Sequence, residues 1–174
     1  MKISDVKKLK SKSVVVFDLD GTLTPTKAPV DLQMAALLVR LLAVKKVVVI
    51  GGGKYDIFRT QLLQQLKASR PLIKHLFLFP ATATSFYMYQ SGWKNVYALH
   101  LSQVEKNNIQ KAFRTMFETV RYAHPLHVYG KVIEDRGTQI TFSALGQDVV
   151  AILGKRRGVA LKAAWLRENR AMKM

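Results

Sequence analysis

Two aspartates in i, i+2 spacing, Asp18 and Asp20, close an unbroken apolar run in Val14-Val15-Val16-Phe17-Asp18-Leu19-Asp20-Gly21-Thr22-Leu23-Thr24. A carboxylate so placed can attack phosphorus and form an acyl phosphate, which splits one difficult transfer into two easier steps. Asp18 is the nucleophile in that chemistry. Asp20, carried past the strand end by Leu19, protonates the leaving oxygen and later takes the proton from the attacking water. An anionic nucleophile facing an anionic ester needs a cation, and Mg²⁺ suits an all-oxygen set with Asp18 and Asp20 as ligands. Gly21 allows a sharp turn, while the Thr22 and Thr24 hydroxyls can serve phosphate oxygens or the turn itself. An EF-hand loop would put its glycine sixth and a glutamate twelfth, and this segment does neither.

For that chemistry Asp18 must sit at the carboxyl end of a strand. The run Val14–Phe17 does not alternate, which predicts a strand buried on both faces in a parallel sheet, with ligands at its carboxyl edge. Residues 31–44 read as a helix and Val47–Ile50 as a second buried strand, a βαβ opening. Gly51-Gly52-Gly53 follows, and residues 55–66 have helical periodicity, with Phe58, Leu62 and Leu66 among the apolar positions. A glycine-rich turn at a helix start offers bare backbone N–H groups to an anion, so Gly51, Gly52 and Gly53 join Thr22 as candidate phosphate ligands. The spacing is not that of a nucleotide-binding Walker loop.

The heptapeptide DLDGTLT after a hydrophobic strand resembles motif I of the haloacid dehalogenase superfamily of phosphohydrolases. The order strand, DxDGTLT, helix, strand, Gly-Gly, helix is similar to subclass IIB, within it the branch of phosphomannomutases and sugar-phosphate phosphatases. The fold implied is α/β: a Rossmann-like core of parallel sheet with flanking helices, and an inserted α+β cap. In that branch a serine or threonine commonly follows the glycines; here the position is Gly53.

Aromatic segments 85–90 and 94–99 around Ser91-Gly92-Trp93 read as a hairpin. Ser102, with Glu105 three residues on, caps a helix expected to run to about His124. Residues 132–144 read as two strands or one bent strand. The expected organisation is therefore residues 1–81 as the first part of the core, 82–147 as the cap, and 148–174 as a divergent, helical basic tail. Glu134, Arg136, Ser143 and Gly146 resemble the phosphomannomutase cap pattern E-x-R-x6-S-x2-G, which implies that Arg136 and Ser143 bind substrate. On residue type alone Arg136 equally suits an ion pair with Glu134 or Asp135. Gln147 stands where phosphomannomutases carry another arginine, which favours a monophosphate phosphatase over a mutase or phosphotransferase.

The resemblance also implies a later lysine and a late acidic pair. Neither is recognisable: no aspartate follows Asp148, and the one later acid is Glu168. The last 25 or so residues are expected to be a divergent or frame-shifted ending on a truncated member, catalytically weak and serving to bind a ligand or partner if those groups are indispensable.

Cysteine is absent from the 174 residues, which excludes disulfides and thiolate metal sites. His75, His100, His124 and His127 lack the partners of a zinc site and read as structural or exposed. Without an apolar leader or spanning run, a cytoplasmic protein with no membrane partner is expected. The net charge is +17, of which residues 1–13 and 154–174 together hold +10. Such ends can favour nucleic acid or acidic membrane. Yet the only features that specify chemistry point to a small phosphorylated metabolite, with nucleic acid not expected as partner and the cap available for homodimerisation.

Overall fold

A computed structural model describes residues 11–25 and 28–169, in two compact units that divide between His100 and Leu101. The basic N-terminal segment that includes Lys7, Lys8 and Lys10 lies outside the described residues, as do residues 170–174 of the tail.

The first unit is a five-stranded sheet in the order β1-β2-β3-β4-β5. Strand β1 (Val14–Asp18) pairs in parallel with β2 (Lys46–Ile50), and β2 pairs in parallel with β3 (Leu76–Phe79). Helix α1 (Leu32–Leu42) makes the first crossover. Asp31 caps it by accepting from the Met34 N–H at 2.7 Å, and Ala35, Leu38 and Leu42 recur on its buried side. The second crossover departs from the single helix expected over 55–66. Helix α2 (Tyr55–Phe58) widens into a π-helical turn over Arg59–Leu63. There the Gln61 carbonyl accepts from Val30 N at 2.7 Å, which ties the crossover to the loop after β1, and Gln64 N reaches back five residues to the Arg59 carbonyl. Short helix α3 (Arg70–Ile73) leads into β3.

Leu19, Leu38, Leu42, Val47, Val49, Phe58, Leu62, Leu76 and Leu78 form one core between the helices and one sheet face. The other side of β1 is open. Val14 is 43% and Val16 60% exposed, contrary to the expected burial on both faces, because β1 is the edge of the sheet and no described helix covers these side chains.

Strands β4 (Ser85–Tyr89) and β5 (Trp93–Ala98) are the expected hairpin, but they continue the core sheet rather than begin a cap. Antiparallel pairing of Phe77 with Met88 and Leu78 with Tyr87 attaches β4 to β3, and the Phe79 and Phe86 rings stack at 4.6 Å. The aromatic alternation that marked a hairpin thus matches the aromatic face of β3, which moves the boundary from residue 81 to His100.

The second unit holds α4 (Gln103–Thr119), the two-stranded pair β6 (Ile133–Asp135) and β7 (Ile140–Phe142), and helices α5 (Val149–Leu153) and α6 (Lys155–Glu168). The capping box at the start of α4 is present: the Ser102 hydroxyl accepts from Glu105 N, and Glu105 accepts from Ser102 N at 2.7 Å. Donation from Ser102 N, and from the Ser102 hydroxyl at 2.8 Å, holds the Glu105 carboxyl below its usual range. The depressed carboxylate means that the cap's stabilisation is present above the ordinary glutamate pKa and lost as pH falls through the lowered value. Replacing Ser102 by alanine is expected to destabilise α4 by about 1 kcal/mol, read as loss of unfolding midpoint by circular dichroism. The helix stops five residues short of the expected end, with Arg121 at φ 49° and the Tyr122 ring folded back against Phe117 and Phe142. No helix among the described residues is long and apolar enough to cross a membrane.

Candidate active site

Asp18 is the last residue of β1 and lies level with Ile50, the last residue of β2. Leu19 continues the pairing through its N–H to the Ile50 carbonyl at 3.1 Å, and its side chain is fully buried. This anchors the two flanking aspartates at the surface of the sheet edge, with Asp18 exposed and Asp20 partly buried. The chain then doubles back. Gly21, at φ 86°, donates to the Thr24 carbonyl at 2.7 Å, while Leu23 N and Thr24 N both return to the Leu19 carbonyl. That left-handed conformation is what glycine adopts without strain.

Of the two threonines offered by the sequence, Thr24 belongs to the turn. It is buried, and its hydroxyl donates to the Ala28 carbonyl and to the Pro25 carbonyl. Thr22 is exposed on the loop beside the carboxylates. Asp18, Asp20 and Thr22 are therefore brought together by one tight turn.

The second loop of the site follows β2. Gly51 N donates to the Phe79 carbonyl at 3.3 Å; in return Thr82 N donates to the Gly51 carbonyl at 2.9 Å and Ala81 N to the Gly53 carbonyl at 2.8 Å. Gly51, Gly52 and Gly53 thus follow directly on Ile50, the partner of Asp18, at the end of a strand about 4.8 Å away. Gly53 also has a steric reason to be glycine. A Cβ there would come 2.9 Å from Ile57 Cβ, so the serine or threonine of the family pattern has no room in this backbone. Tyr55, just after the loop, stacks on Tyr87 with centroids 4.1 Å apart, and burial, reinforced by Tyr87, pushes its phenol above the usual range.

Two features of this edge had no counterpart in the sequence reading. Ala81, Thr82 and Ala83 all have positive φ, between 51° and 65°, forming a left-handed turn after β3. Ordinary L residues disfavour that conformation, so Ala-Thr-Ala carried no mark of it. Lys54 is the second feature. Among the described residues of the loops following β1, β2, β3 and β5 it is the only lysine or arginine, and it is exposed at the start of α2.

Arg136 and Ser143 lie in the second unit. The Arg136 guanidinium pairs with Glu134 through Nε at 2.8 Å and donates to Gln147 Oε1 at 3.2 Å, the ion-pair alternative left open by residue type. Ser143 donates to the Gly146 carbonyl at 2.9 Å. The residues of the E-x-R-x6-S-x2-G pattern therefore form two hydrogen-bonded pairs, Glu134 with Arg136 and Ser143 with Gly146. Among the four histidines, His75 bonds the Leu42 carbonyl through Nδ1 and His124 packs on Phe117 and Tyr122.

No cluster of three or more acidic, histidine or cysteine side chains suited to a metal occurs among the described residues. The donor set is the oxygen pair Asp18 and Asp20. That fits Mg²⁺, which commonly keeps several waters and is held by one or two carboxylates plus substrate phosphate.

No protein-family model matches the chain, and no curated protein sequence matches it. Solved structures do. The Plasmodium falciparum IMP-nucleotidase aligns with a TM-score of 0.53 at 14% identity over 74% of this chain and 34% of its own. Its N-terminally truncated, IMP-bound form gives 0.52 at 12% identity, over 74% and 39%. Aspergillus fumigatus trehalose-6-phosphate phosphatase gives 0.51 at 17% identity, covering 99% of this chain and 60% of that one. At these identities the likeness is one of fold: this chain has the α/β fold of phosphatase structures, of whose length it spans 34% to 60%.

Proposed function

We propose that this chain carries a Mg²⁺-dependent phosphohydrolase site for a small phosphomonoester, with a sugar phosphate as the favoured class, working through an aspartyl-phosphate intermediate. The carrying observation is the position of Asp18, exposed at the carboxyl end of a parallel strand with a glycine loop one strand away. The likeness to a trehalose-6-phosphate phosphatase along nearly the whole chain supports the sugar-phosphate class.

In this reading an Asp18 carboxylate oxygen attacks phosphorus as the bond to the ester oxygen breaks. Asp20 gives that oxygen its proton, so the alcohol leaves neutral. Water then attacks the acyl phosphate, Asp20 takes its proton, and phosphate departs with Asp18 restored. The Gly51 N–H is taken up by the Phe79 carbonyl, so the N–H groups of the glycine loop beyond it and the Thr22 hydroxyl orient the non-bridging oxygens. Mg²⁺, held by Asp18 and Asp20, would supply positive charge against the two anions. Arg136 and Ser143, placed in the second unit, have a part in substrate selection only if the Glu134 and Gln147 contacts open.

Among the described loop residues, Lys54 is the cation that this edge offers to the phosphoryl group from protein. Its replacement by alanine is expected to lower kcat/KM for an aryl phosphate roughly tenfold to a hundredfold, as for loss of a hydrogen bond to a charged group. An unchanged value at all Mg²⁺ concentrations would remove Lys54 from the site. Hydrolysis of an aryl phosphate by the purified chain, titrated with Mg²⁺, tests the function itself. A second reading, a weakly turning-over phosphate binder, is favoured by the donor set of only two carboxylates; it predicts saturable phosphate binding without Mg²⁺-dependent turnover.

A further inference from the structure

Acidic charge keeps to one sheet edge in the first unit, where Lys54 and Arg59 accompany it. Its four described acids, Asp18, Asp20, Asp31 and Asp56, all lie at the carboxyl end: the end of β1, the turn after it, the cap of α1 and the first turn of α2. The amino end has none. Lys12 precedes β1, Arg40 lies in the last turn of α1, Lys45 and Lys46 open β2, Lys74 precedes β3, and Lys94 is the second residue of β5. Strand β5 runs in the direction of β1 to β3, so all of these residues share one rim.

Backbone contacts hold the row together. Lys46 N donates to the Ser13 carbonyl at 3.0 Å, Val47 N to the His75 carbonyl at 2.8 Å, and Lys45 Nζ to the Lys12 carbonyl at 2.5 Å. Lys12, Arg40, Lys46, Lys74 and Lys94 are exposed. No ion pair is formed by any of these five among the described residues.

We propose that this amino-edge rim is a binding surface for the phosphate backbone of a nucleic-acid duplex, read without regard to base sequence. Four interstrand spacings separate β1 from β5, about 19 Å. Along that length a duplex presents about eleven phosphates, a linear array facing a linear row of cations. Lysines predominate in the row, and a compact ammonium is a point charge for phosphate rather than a fork for base edges. An anionic membrane surface is the lesser fit, since the strand ends of the rim expose the valines Val14, Val16 and Val44 and no Trp or Phe of the kind interfacial elements bury. This assigns duplex binding to the folded unit, where composition located the excess charge mainly in the two chain ends, and it does not depend on the phosphohydrolase reading.

Anisotropy titrations of the full chain with a labelled DNA duplex about two turns long, in two unrelated sequences and over a range of salt, test the assignment. The triple variant Lys46→Gln, Lys74→Gln, Lys94→Gln is expected to weaken binding equally for both sequences and to reduce the slope of log K against log salt by about 1 for each lost contact. The matched tail variant Lys155→Gln, Arg156→Gln, Arg157→Gln should keep the slope near that of the parent. All three rim side chains are exposed, and an unchanged circular dichroism melt verifies that each variant is folded. An unaltered slope in the rim variant overturns the proposal. So does loss of binding confined to the tail variant, or retention on phosphatidylserine vesicles with no duplex binding.

Discussion

Asp18→Asn is expected to abolish Mg²⁺-dependent aryl phosphate hydrolysis, with kcat/KM falling on the order of 10⁴-fold, the scale on which an enzyme responds to losing a nucleophile. The amide keeps the shape of the carboxyl but has no anionic oxygen with which to open the acyl-phosphate route. Stability should hardly change, because Asp18 is exposed at the strand end and no hydrogen bond or ion pair is formed by its side chain among the described residues. Substitution of Asp20 by asparagine separates the roles: the loss should be smallest for esters with acidic leaving groups, which need no proton, while release of phosphate remains slow. Full activity in Asp18→Asn would transfer the chemistry to another nucleophile. Absence of Mg²⁺-dependent turnover in the parent chain as well would leave the phosphate-binder reading.

Gly146→Ala should give the largest stability loss, and it should do so in the second unit. Gly146 has φ 88°, and a Cβ placed on it would lie 2.2 Å from the Tyr129 carbonyl oxygen and 2.5 Å from its carbon. The atoms in the way are backbone, so no rotamer change relieves them. They are also fixed, since Tyr129 N donates to the Leu145 carbonyl and the Tyr129 carbonyl accepts from Asp148 N, both at 2.8 Å. Left-handed strain of about 1–2 kcal/mol adds to an overpacking term of about 1–3 kcal/mol. The expected total is about 3 kcal/mol, which would lower a urea midpoint by about 1 M or more. Trp93 lies in β5 and Trp165 in α6, one tryptophan in each unit, so fluorescence of Trp93→Phe and Trp165→Phe backgrounds can follow them separately. A Trp165 transition that stays in place would show that the 129–148 loop contact has little hold on the second unit.

Local rules made much of the first unit legible. The cap of α1 at Asp31 and its buried side at Ala35, Leu38 and Leu42 are visible in the fold, while a helix over residues 31–44 was legible from its apolar content. The capping box at Ser102 and Glu105 was readable for the same reason, since both partners lie within one turn. The length of the second crossover was not. Its π-helical turn accompanies a carbonyl turned to Val30, thirty-one residues earlier, and no window of local sequence contains that pair. The hairpin Ser85–Ala98 was recognised, yet its assignment to a cap failed because pairing with Phe77 and Leu78 depends on which edge of β3 is open. Burial of β1 was overestimated for a related reason. A continuous valine run suits a central strand, and only the strand order makes β1 an edge.

Sequence by itself determined the pair Asp18 and Asp20, the turn at Gly21 and the glycine loop at 51–53, because each is a short segment whose residue types limit backbone and chemistry alike. Tertiary structure decided the rest of the site: it drew Thr24 into the turn, made Gly53 a steric necessity against Ile57, tied the left-handed residues 81–83 to the glycine loop, and joined Arg136 to Glu134 and Gln147. It also gathered a row of cations at the edge away from the acids, since lysines scattered from residue 12 to residue 94 share a rim only when strand pairing aligns the strand ends.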